Sequence, residues 1–390
     1  MQRKERVGRV WRQDRRVVVR GEDRRGELRG QDGARDARRS DAGRAVGKRV
    51  VNRAGAQRER DGRPDRGACR HRRPTRTRGR ARGQTRRRRI VRRRQLQHET
   101  MTRAEPIAGV GVGLRWAFVE DLFERPPPEL AWLEIAPENF MRRGGRYPAA
   151  LARCAERWPI VTHGLCMSLG GTDPLDASYL TTLRGFLRDV GTPWHSDHLS
   201  FGSVGGVATH DLLPIPFTRA AAEHVAARVR RAQDAIDTEL AVENITYYAH
   251  AGRPEMDEAE FVSEVVRASG CALLLDVNNV YVNGRNHGFD PREVIAKMPL
   301  ARVVQIHVAG HEQAERLLVD THAQPVRDEV YELLAWTLER MGPVPVLLER
   351  DDNFPPWEEL CAEIRRLDAI VRGARSARRA RTSSCAEARC

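Results

Sequence analysis

Ionisable and amide side chains recur at one place in the chain, at or just after the end of short apolar runs. The stretch LLLDVNNVYVNGRNHGFD (273–290) passes from three leucines to Asp276, Asn278 and Asn279. Other runs end in the same way, at His163, Asp197, His198, Glu243, Asn244, His307, Glu349 and Asp351, and Asp320 and His322 follow in VDTHAQP. Buried imidazoles and carboxylates cost several kcal/mol per unpaired charge, and cations are the simplest compensation. The pattern therefore predicts a metal site.

The donor types narrow the choice of metal. Carboxylates and imidazoles without a positioned cysteine suit iron, manganese or zinc. There are more candidate donors than one ion with about four to six ligands can use. Two or three ions bridged by Glu243 and Glu349 would use them better.

The runs that carry these residues predict eight strands. They alternate with amphipathic stretches such as 218–236 and 328–341, which have apolar residues at helical spacing. This rhythm is typical of a (β/α)8 TIM barrel, in which the carboxyl ends of all strands meet at one face. A doubly wound open sheet is the alternative, but GVGVGLR lacks the GxxG that should follow it. The eight runs are 107–115, 132–138, 159–168, 194–201, 239–246, 271–281, 303–310 and 344–351.

The formal charge of +15 is unevenly distributed. Residues 1–100 hold 36 of the 68 basic residues but 12 of the 53 acidic ones, so the rest of the chain, with 32 and 41, is net acidic. Residues 1–100 are expected to be a disordered Arg-rich extension, 101–370 a metal-binding catalytic barrel, and 371–390 a disordered basic tail. The extension is either a nucleic-acid-binding arm or a translated upstream region with Met101 as the true start. The second interpretation is favoured, because aromatic residues are not interleaved with the arginines.

Localisation and redox state follow from what the sequence lacks. It has no apolar run of about 18 residues and no signal peptide, so neither a membrane span nor secretion is expected. Its seven cysteines show no CxxC spacing, which indicates a reduced, cytoplasmic location. Cys166 is interpreted as a small buried apolar residue rather than a redox group.

Several longer motifs occur in a fixed order along the chain: THG (162), SDHLSF (196), HDLLPIPFT (210), ENITYY (243), LLLDVNNVYVNGRNHGFDP (273), QIHVAGH (305), VDTHAQPV (319) and PVLLERD (345). Together they resemble the multinuclear non-haem iron oxygenases that include the methanobactin oxazolone/thioamide-forming enzyme and the thiaglutamate-pathway enzyme. The resemblance covers about residues 107–365. It implies a xylose-isomerase-like barrel that holds two or three iron ions, ferrous and ferric.

The resemblance also implies a site and a reaction. The reaction would oxidise cysteine residues of a ribosomally synthesised precursor peptide with dioxygen, and a small partner protein would bind the leader peptide. Asp276, His287 and His210 are assigned catalytic roles; His210 with Asp211, and His287, could instead cap their turns. His311 and Asp351 are expected to support His307 and Glu349, and Asn244 to support Glu243. The implied metal ligands are His163, His198, Glu243, Asp276, Asn279, His307, Asp320, His322 and Glu349.

Three other functions compete with this one. A metal-dependent hydrolase or endonuclease would want a positive groove, which the acidic barrel region does not favour, and related zinc nucleases would carry histidine in place of Asn279. A sugar isomerase would place a lysine near the metals, and none ends a predicted strand. A non-catalytic barrel with a nucleic-acid-binding arm would lose its activity when residues 1–100 are removed.

Overall fold

The computed structural model of the protein describes residues 107–387. The predicted Arg-rich extension lies outside this range, as do residues 388–390. None of the helices in the described range is both long enough and apolar enough to span a membrane.

The strands of the described range form a barrel and two hairpins. They are β1 (Val110–Gly113), β2 (Leu130–Ile135), β3 (Ile160–His163), β4 (Trp194–His198), β5 (Ser200–Val204), β6 (Val207–Pro214), β7 (Glu239–Glu243), β8 (Ala272–Asp276), β9 (Val303–Val308), β10 (Glu312–Gln313), β11 (Leu318–Val319) and β12 (Val346–Leu348). Eight of them close a barrel in the order β1-β12-β9-β8-β7-β4-β3-β2, and all neighbours are parallel. The hairpins β5–β6 and β10–β11 follow β4 and β9. Each predicted run overlaps one barrel strand, so the predicted TIM barrel is confirmed.

Helices surround this barrel. They are α1 (Val119–Glu124), α2 (Arg146–Ala155), α3 (Ala177–Val190), α4 (Arg219–Ile236), α5 (Glu258–Ser269), α6 (Val277–His287), α7 (Pro291–Lys297), α8 (Asp328–Met341) and α9 (Trp357–Glu387). The two amphipathic stretches chosen from the sequence are α4 and α8. In α4 the hydroxyl of Thr218 accepts from the Ala221 N–H, and the apolar positions Val225, Val229 and Ile236 are buried.

Strand β8 ends earlier than the apolar pattern predicts. The run 271–281 was expected to be extended throughout, but α6 begins directly after Asp276. The Asp276 carboxylate caps this helix by accepting from the Asn279 N–H at 2.7 Å, which ends the strand and starts the helix at one residue. Asn283 and Asn286 therefore lie on this helix.

Helix α9 extends into the segment that was predicted to be a disordered tail. Helix α9 continues past residue 370, and Val371 and Ala374 are buried in the core at a spacing that extends the apolar stripe from Leu367. Arg378 donates to the Met341 carbonyl at 3.1 Å. The segment is rich in alanine and arginine. Both are strong helix formers, although the arginines also give the segment the basic composition of a disordered tail.

The barrel interior has two layers that matter for the site. We call the apolar layer the floor; it comprises Trp132, Val161, Trp194, Ala241, Ala272, Leu274 and Leu347. The upper layer, nearer the carboxyl ends of the strands, comprises Glu134, His163, His198, Glu243, Asp276, His307 and Glu349, all buried. Gly111 of β1 leaves room for the Trp132 indole, which a Cβ at that position would overlap.

Candidate metal centre

Five barrel strands place an ionisable side chain in the upper layer two residues after a floor residue. Successive side chains of a strand point to opposite faces, so residues two apart point the same way. On β7, for example, Ala241 is followed by Glu243, and on β12 Leu347 is followed by Glu349. The barrel thereby gathers imidazoles and carboxylates at its mouth. They form three groups whose donor atoms lie within 4.8 Å of one another.

The first group is His163, His198 and Glu243. The two Nε2 atoms lie 3.2 Å apart, and Glu243 Oε2 lies 3.3 Å from that of His163 and 3.2 Å from that of His198. Ser196 Oγ lies 2.9 Å from His163 Nδ1 and itself donates to the Thr162 carbonyl, so it accepts the Nδ1–H. This tautomer leaves the His163 Nε2 lone pair directed at the centre of the group.

The second group is Glu243, Asp276, His307 and Glu349. His307 Nδ1 lies 3.0 Å from Glu349 Oε2 and 3.2 Å from Glu243 Oε1, but neither contact has hydrogen-bond geometry. Asn244 fixes the Asp276 backbone by accepting from its N–H and donating to its carbonyl, each at 3.0 Å. Asn244 therefore holds Asp276 in place, whereas the sequence predicted that it supports Glu243.

The third group is His322, Glu349 and Asp351. His322 Nδ1 lies 3.2 Å from Asp351 Oδ2 and 3.4 Å from Glu349 Oε2. Asp351 also pairs with the Arg115 guanidinium. Because Glu243 belongs to the first two groups and Glu349 to the last two, each could bridge neighbouring ions.

The charges of the upper layer shift the pKa values of its members in opposite directions. Burial alone would lower the pKa of His307, but Glu134, Glu349 and Glu243 raise it well above its usual value. Burial and the charge of Glu243 raise the pKa of Asp276 well above the ordinary range. Burial also lowers the pKa of His163, and the neighbouring His198 and His307 lower it further. Bound protons and opposite charges therefore neutralise the buried charges of the upper layer only in part.

Buried polar atoms without hydrogen-bond partners test whether metal ions suit this site. Such atoms include Glu243 Oε2, Asp276 Oδ2, His307 Nδ1 and His322 Nε2. A buried acceptor without a partner costs about 1–3 kcal/mol, and more when it is charged. All four are metal donor types, and three of these atoms belong to residues of the second group. The residues present therefore fit bound cations.

Seven of the nine predicted ligands lie in the three groups: His163, His198, Glu243, Asp276, His307, His322 and Glu349. Asn279 uses both polar atoms elsewhere, since its Oδ1 accepts from the Thr246 hydroxyl at 2.8 Å and its Nδ2 donates to the Asn244 carbonyl at 3.0 Å. Asp320 Oδ1 lies 2.8 Å from His322 Nε2 and accepts from Asn278. Asn279 and Asp320 therefore lie next to the three groups but belong to none of them.

The two predicted catalytic histidines have no hydrogen bond or ion pair with the groups in the described range. His287 ends α6, where its Nε2 lies 2.8 Å from the Tyr247 carbonyl and its ring stacks on the Tyr247 ring. Both contacts are to Tyr247, 40 residues away in the chain, rather than to the turn that follows α6. His210 is an exposed residue of β6 with a left-handed backbone (φ 59°). The third catalytic residue, Asp276, lies in the second group.

Three further sequence-based assignments need correction. His311 does not support His307; its Nδ1 lies 2.8 Å from Asn278 Oδ1, and Asn278 Nδ2 donates to Asp320 at 2.8 Å. Asp351 bonds His322 and Arg115 rather than Glu349. Cys166 is exposed, because β3 ends at His163 and the cysteine lies on the following loop.

Asp197 points away from the groups, unlike its neighbour His198. Its carboxylate accepts from the Met167 N–H at 3.1 Å and from the His198 N–H at 2.8 Å. Burial raises the pKa of this carboxyl to about 7. It fixes the loop after β3, so the sequence pair of Asp197 and His198 supplies one member to the upper layer.

Glu134 and Gln305 were missed by sequence reasoning. They lie inside strands rather than at the ends, so a search for polar strand ends passes over them. Glu134 Oε2 lies 3.2 Å from His307 Nε2, and Gln305 Nε2 donates to that same oxygen at 2.6 Å. The alternation in WLEI, which puts Glu134 on the same face as Trp132, was the available signal.

A small cavity of about 20 Å³ lies beside the groups. Ionisable side chains form one part of its wall and small or apolar residues the other. The lining residues are Arg115, Glu134, Ile135, Ala136, His163, Leu165, His198, Glu349 and Asp351.

Comparisons with known proteins identify relatives of this chain. A family model described as "RiPP precursor modification enzyme MbnB/TglH/ChrH" matches residues 109–372. The chain is 44% identical over 272 residues to a UPF0276 protein of Anaeromyxobacter sp. (strain Fw109-5), which covers 70% of this chain and 95% of that protein. It is 46% identical over 259 residues to one of Acinetobacter baylyi, with coverages of 66% and 89%.

Solved structures with similar barrels include a xylose isomerase domain protein from Alicyclobacillus acidocaldarius. It has a TM-score of 0.46 and 13% identity, and covers 69% of this chain and 98% of its own. An L-ribulose 3-epimerase has a TM-score of 0.47 and 13% identity, with coverages of 71% and 98%.

Proposed function

The chain belongs to the RiPP precursor modification enzyme family MbnB/TglH/ChrH, and from that premise we propose that it is a multinuclear iron enzyme that oxidises cysteine residues of a ribosomally synthesised precursor peptide. Dioxygen would be the oxidant and would take up the electrons and protons that the cysteine loses. The observation that carries the proposal is the set of three donor groups linked through Glu243 and Glu349.

The donor chemistry supports iron. The groups contain imidazoles and carboxylates without cysteine, which suits iron, manganese or zinc. Iron is chosen among these because the sequence motifs resemble iron oxygenases. Bound iron ions would supply the redox chemistry that couples cysteine oxidation to dioxygen reduction.

The chain's own residues would bind and position the substrate. The cavity beside the first group has Ile135, Ala136 and Leu165 on its wall, which suits a small side chain such as that of cysteine. The Arg115 guanidinium, held by Asp351, borders the same cavity and could donate hydrogen bonds to a peptide carbonyl. The cavity is small, so the rest of the peptide would lie outside the barrel mouth.

A small partner protein would hold the leader part of the precursor, as the resemblance implies. The reaction would take place in the cytoplasm, and the buried cysteines Cys154, Cys271 and Cys361 are in the thiol form. Co-purification of the tagged enzyme with a small protein that also binds the leader part of the precursor tests the partnership.

Metal analysis tests the proposed function. The protein is purified with and without oxygen, and its iron and zinc contents and visible absorption are measured. Two or three irons per chain with ferric absorption are expected, together with oxygen consumption that requires a cysteine-containing precursor. The matched control is the same peptide with serine in place of each cysteine. Zinc as the sole metal in both preparations would contradict the proposal and favour a hydrolase or an isomerase.

The site assignment has its own test. His307→Ala removes an imidazole from the second group, so iron content and oxygen consumption should both fall. Wild-type values for both in this variant would show that the reaction takes place elsewhere.

A further inference from the structure

His307 has two ring nitrogens in different surroundings. Its Nδ1 faces the carboxylates of the second group and has no hydrogen bond, although it is fully buried. Its Nε2 points the other way, toward Glu134 and Gln305. A neutral imidazole carries its proton on one nitrogen only, and only the other can bind a metal. The groups around Nε2 therefore decide whether Nδ1 is available.

Trp194 fixes the orientation of the Gln305 amide. The indole Nε1–H donates to Gln305 Oε1 at 2.9 Å, so the amide nitrogen must face the other way. That nitrogen donates to Glu134 Oε2 at 2.6 Å and lies 2.8 Å from His307 Nε2. Gln305 consequently donates to Glu134, and its amide nitrogen cannot accept the His307 proton.

Glu134 is left as the acceptor for that proton. Its Oε2 lies 3.2 Å from His307 Nε2, and both residues are buried, with 4% and 0% of their surface exposed. Without Glu134, the Gln305 amide would be the remaining hydrogen-bonding neighbour of Nε2 among the described residues. An N–H donor at that position favours the tautomer in which Nε2 is unprotonated. The ring proton is then on Nδ1, where it faces the carboxylates of the second group.

We infer that Glu134 is a positioning residue that keeps the His307 proton on Nε2 and so leaves Nδ1 free to bind a metal. Trp194 and Gln305 support this arrangement, because the amide that Trp194 orients donates to the same Glu134 oxygen and holds it in place. This inference rests on the metal centre proposed above and adds a residue that is not itself a ligand. Partners of this kind typically change metal affinity by about 10- to 100-fold.

Cobalt(II) binding, followed by visible absorption of the metal-free protein, tests the inference without requiring the native metal or any activity. Glu134→Leu removes the acceptor and should weaken binding by about 100-fold; Glu134→Gln keeps an oxygen but loses the charge and should weaken it by about tenfold. The exchange variant Glu134→Gln with Gln305→Glu places a carboxylate beside His307 Nε2 again. It should recover most of the lost affinity and the wild-type spectrum.

Glu258→Gln is the matched control, because Glu258 is equally buried but bonds Asn283 rather than the metal groups. It should leave cobalt binding unchanged. Circular dichroism checks folding, and if Glu134→Leu does not fold, the Glu134→Gln and exchange variants, which preserve side-chain size, decide the question.

Wild-type affinity and spectrum in the folded Glu134 variants would overturn the inference, and so would an exchange variant no tighter than Glu134→Gln. Failure of the wild-type protein to bind cobalt would instead overturn the metal centre itself. The two failures are therefore distinguishable.

Discussion

The floor and the upper layer of the barrel are equally buried but chemically opposite. On β12, Leu347 is 0% exposed and Glu349, two residues later, is 6% exposed. The same change occurs from Ala241 to Glu243 and from Leu274 to Asp276. Burial stabilises the fold at the floor, whereas in the upper layer it costs free energy unless the charges are compensated. The difference shows that these strands carry an apolar residue that stabilises the fold and, two residues later, an ionisable residue that belongs to the donor groups.

The largest expected effect comes from removing a shared member of the upper layer. Glu243→Gln removes a carboxylate from two donor groups, so the variant should lose the metal of both. Oxygen consumption with the precursor should fall by at least about 100-fold, since loss of a ligand should exceed the loss of a supporting residue. The thermal midpoint of the metal-free protein should not fall, because the substitution removes a buried charge.

Metal content per chain, oxygen consumption and thermal unfolding with and without metal measure these effects. Glu239→Gln, at the exposed start of the same strand, is the matched control and should behave as wild type. Full metal content in Glu243→Gln would contradict the assignment of metal binding to the upper layer.

The floor should respond in the opposite way. Leu347→Ala opens a cavity next to Trp132 and Val161, so the free energy of unfolding should fall by about 2–5 kcal/mol. Metal content should remain near that of the wild type, because no donor atom is lost. Urea unfolding and metal analysis check both parts. The half-exposed Leu317 provides a control, since Leu317→Ala should cost well under 1 kcal/mol.

A buried carboxylate outside the metal groups sharpens the comparison. Glu258 begins α5 and accepts a hydrogen bond from Asn283, and burial raises its pKa to about 8 from an ordinary 4.5. Between these two values the folded protein keeps the proton that the unfolded chain releases, so stability falls as pH rises through this interval. Below about 4.5 both states are protonated, and above about 8 both are ionised.

Glu258→Gln abolishes this dependence. Relative to wild type, the variant should gain roughly 4 kcal/mol between pH 5 and pH 9. Urea unfolding in the presence of a chelator measures the difference at each pH, and titrations shared by both proteins cancel. An unchanged difference would show that Glu258 ionises normally in the folded protein.

Local sequence pattern predicts much of this molecule. The eight apolar runs locate the barrel strands, and the change from apolar to ionisable residues locates most of the upper layer, because both depend on residues adjacent in sequence. Seven of nine ligand candidates meet in the three groups for the same reason.

Features that depend on distant partners could not be predicted in this way. Glu134 meets His307 across 173 residues of chain, and His311 bonds Asn278 rather than the neighbouring strand residue. The start of α6 depends on a side-chain cap at Asp276, which an apolar run conceals. The helical segment after residue 370 is held by burial of Val371 and Ala374, which its basic composition does not indicate.

Asn283 gives the smallest effect and tests the helix that the sequence pattern did not show. Its Oδ1 accepts from the Tyr247 N–H at 3.0 Å, and its Nδ2 donates to the Ile245 carbonyl at 3.0 Å and to Glu258. These bonds fix the segment that follows Glu243. Asn283→Ala leaves buried partners unsatisfied, so unfolding should become easier by about 1–3 kcal/mol, with metal content unchanged.

Asn286→Ala, one turn later on the same helix, is the control. Asn286 bonds both backbone groups of Leu318 but is only partly buried, so water can replace its contacts and the loss should be smaller. Urea unfolding ranks the two variants. Equal losses would mean that burial does not determine the strength of these amide contacts, and loss of metal in Asn283→Ala would mean that the segment after Glu243 belongs energetically to the upper layer.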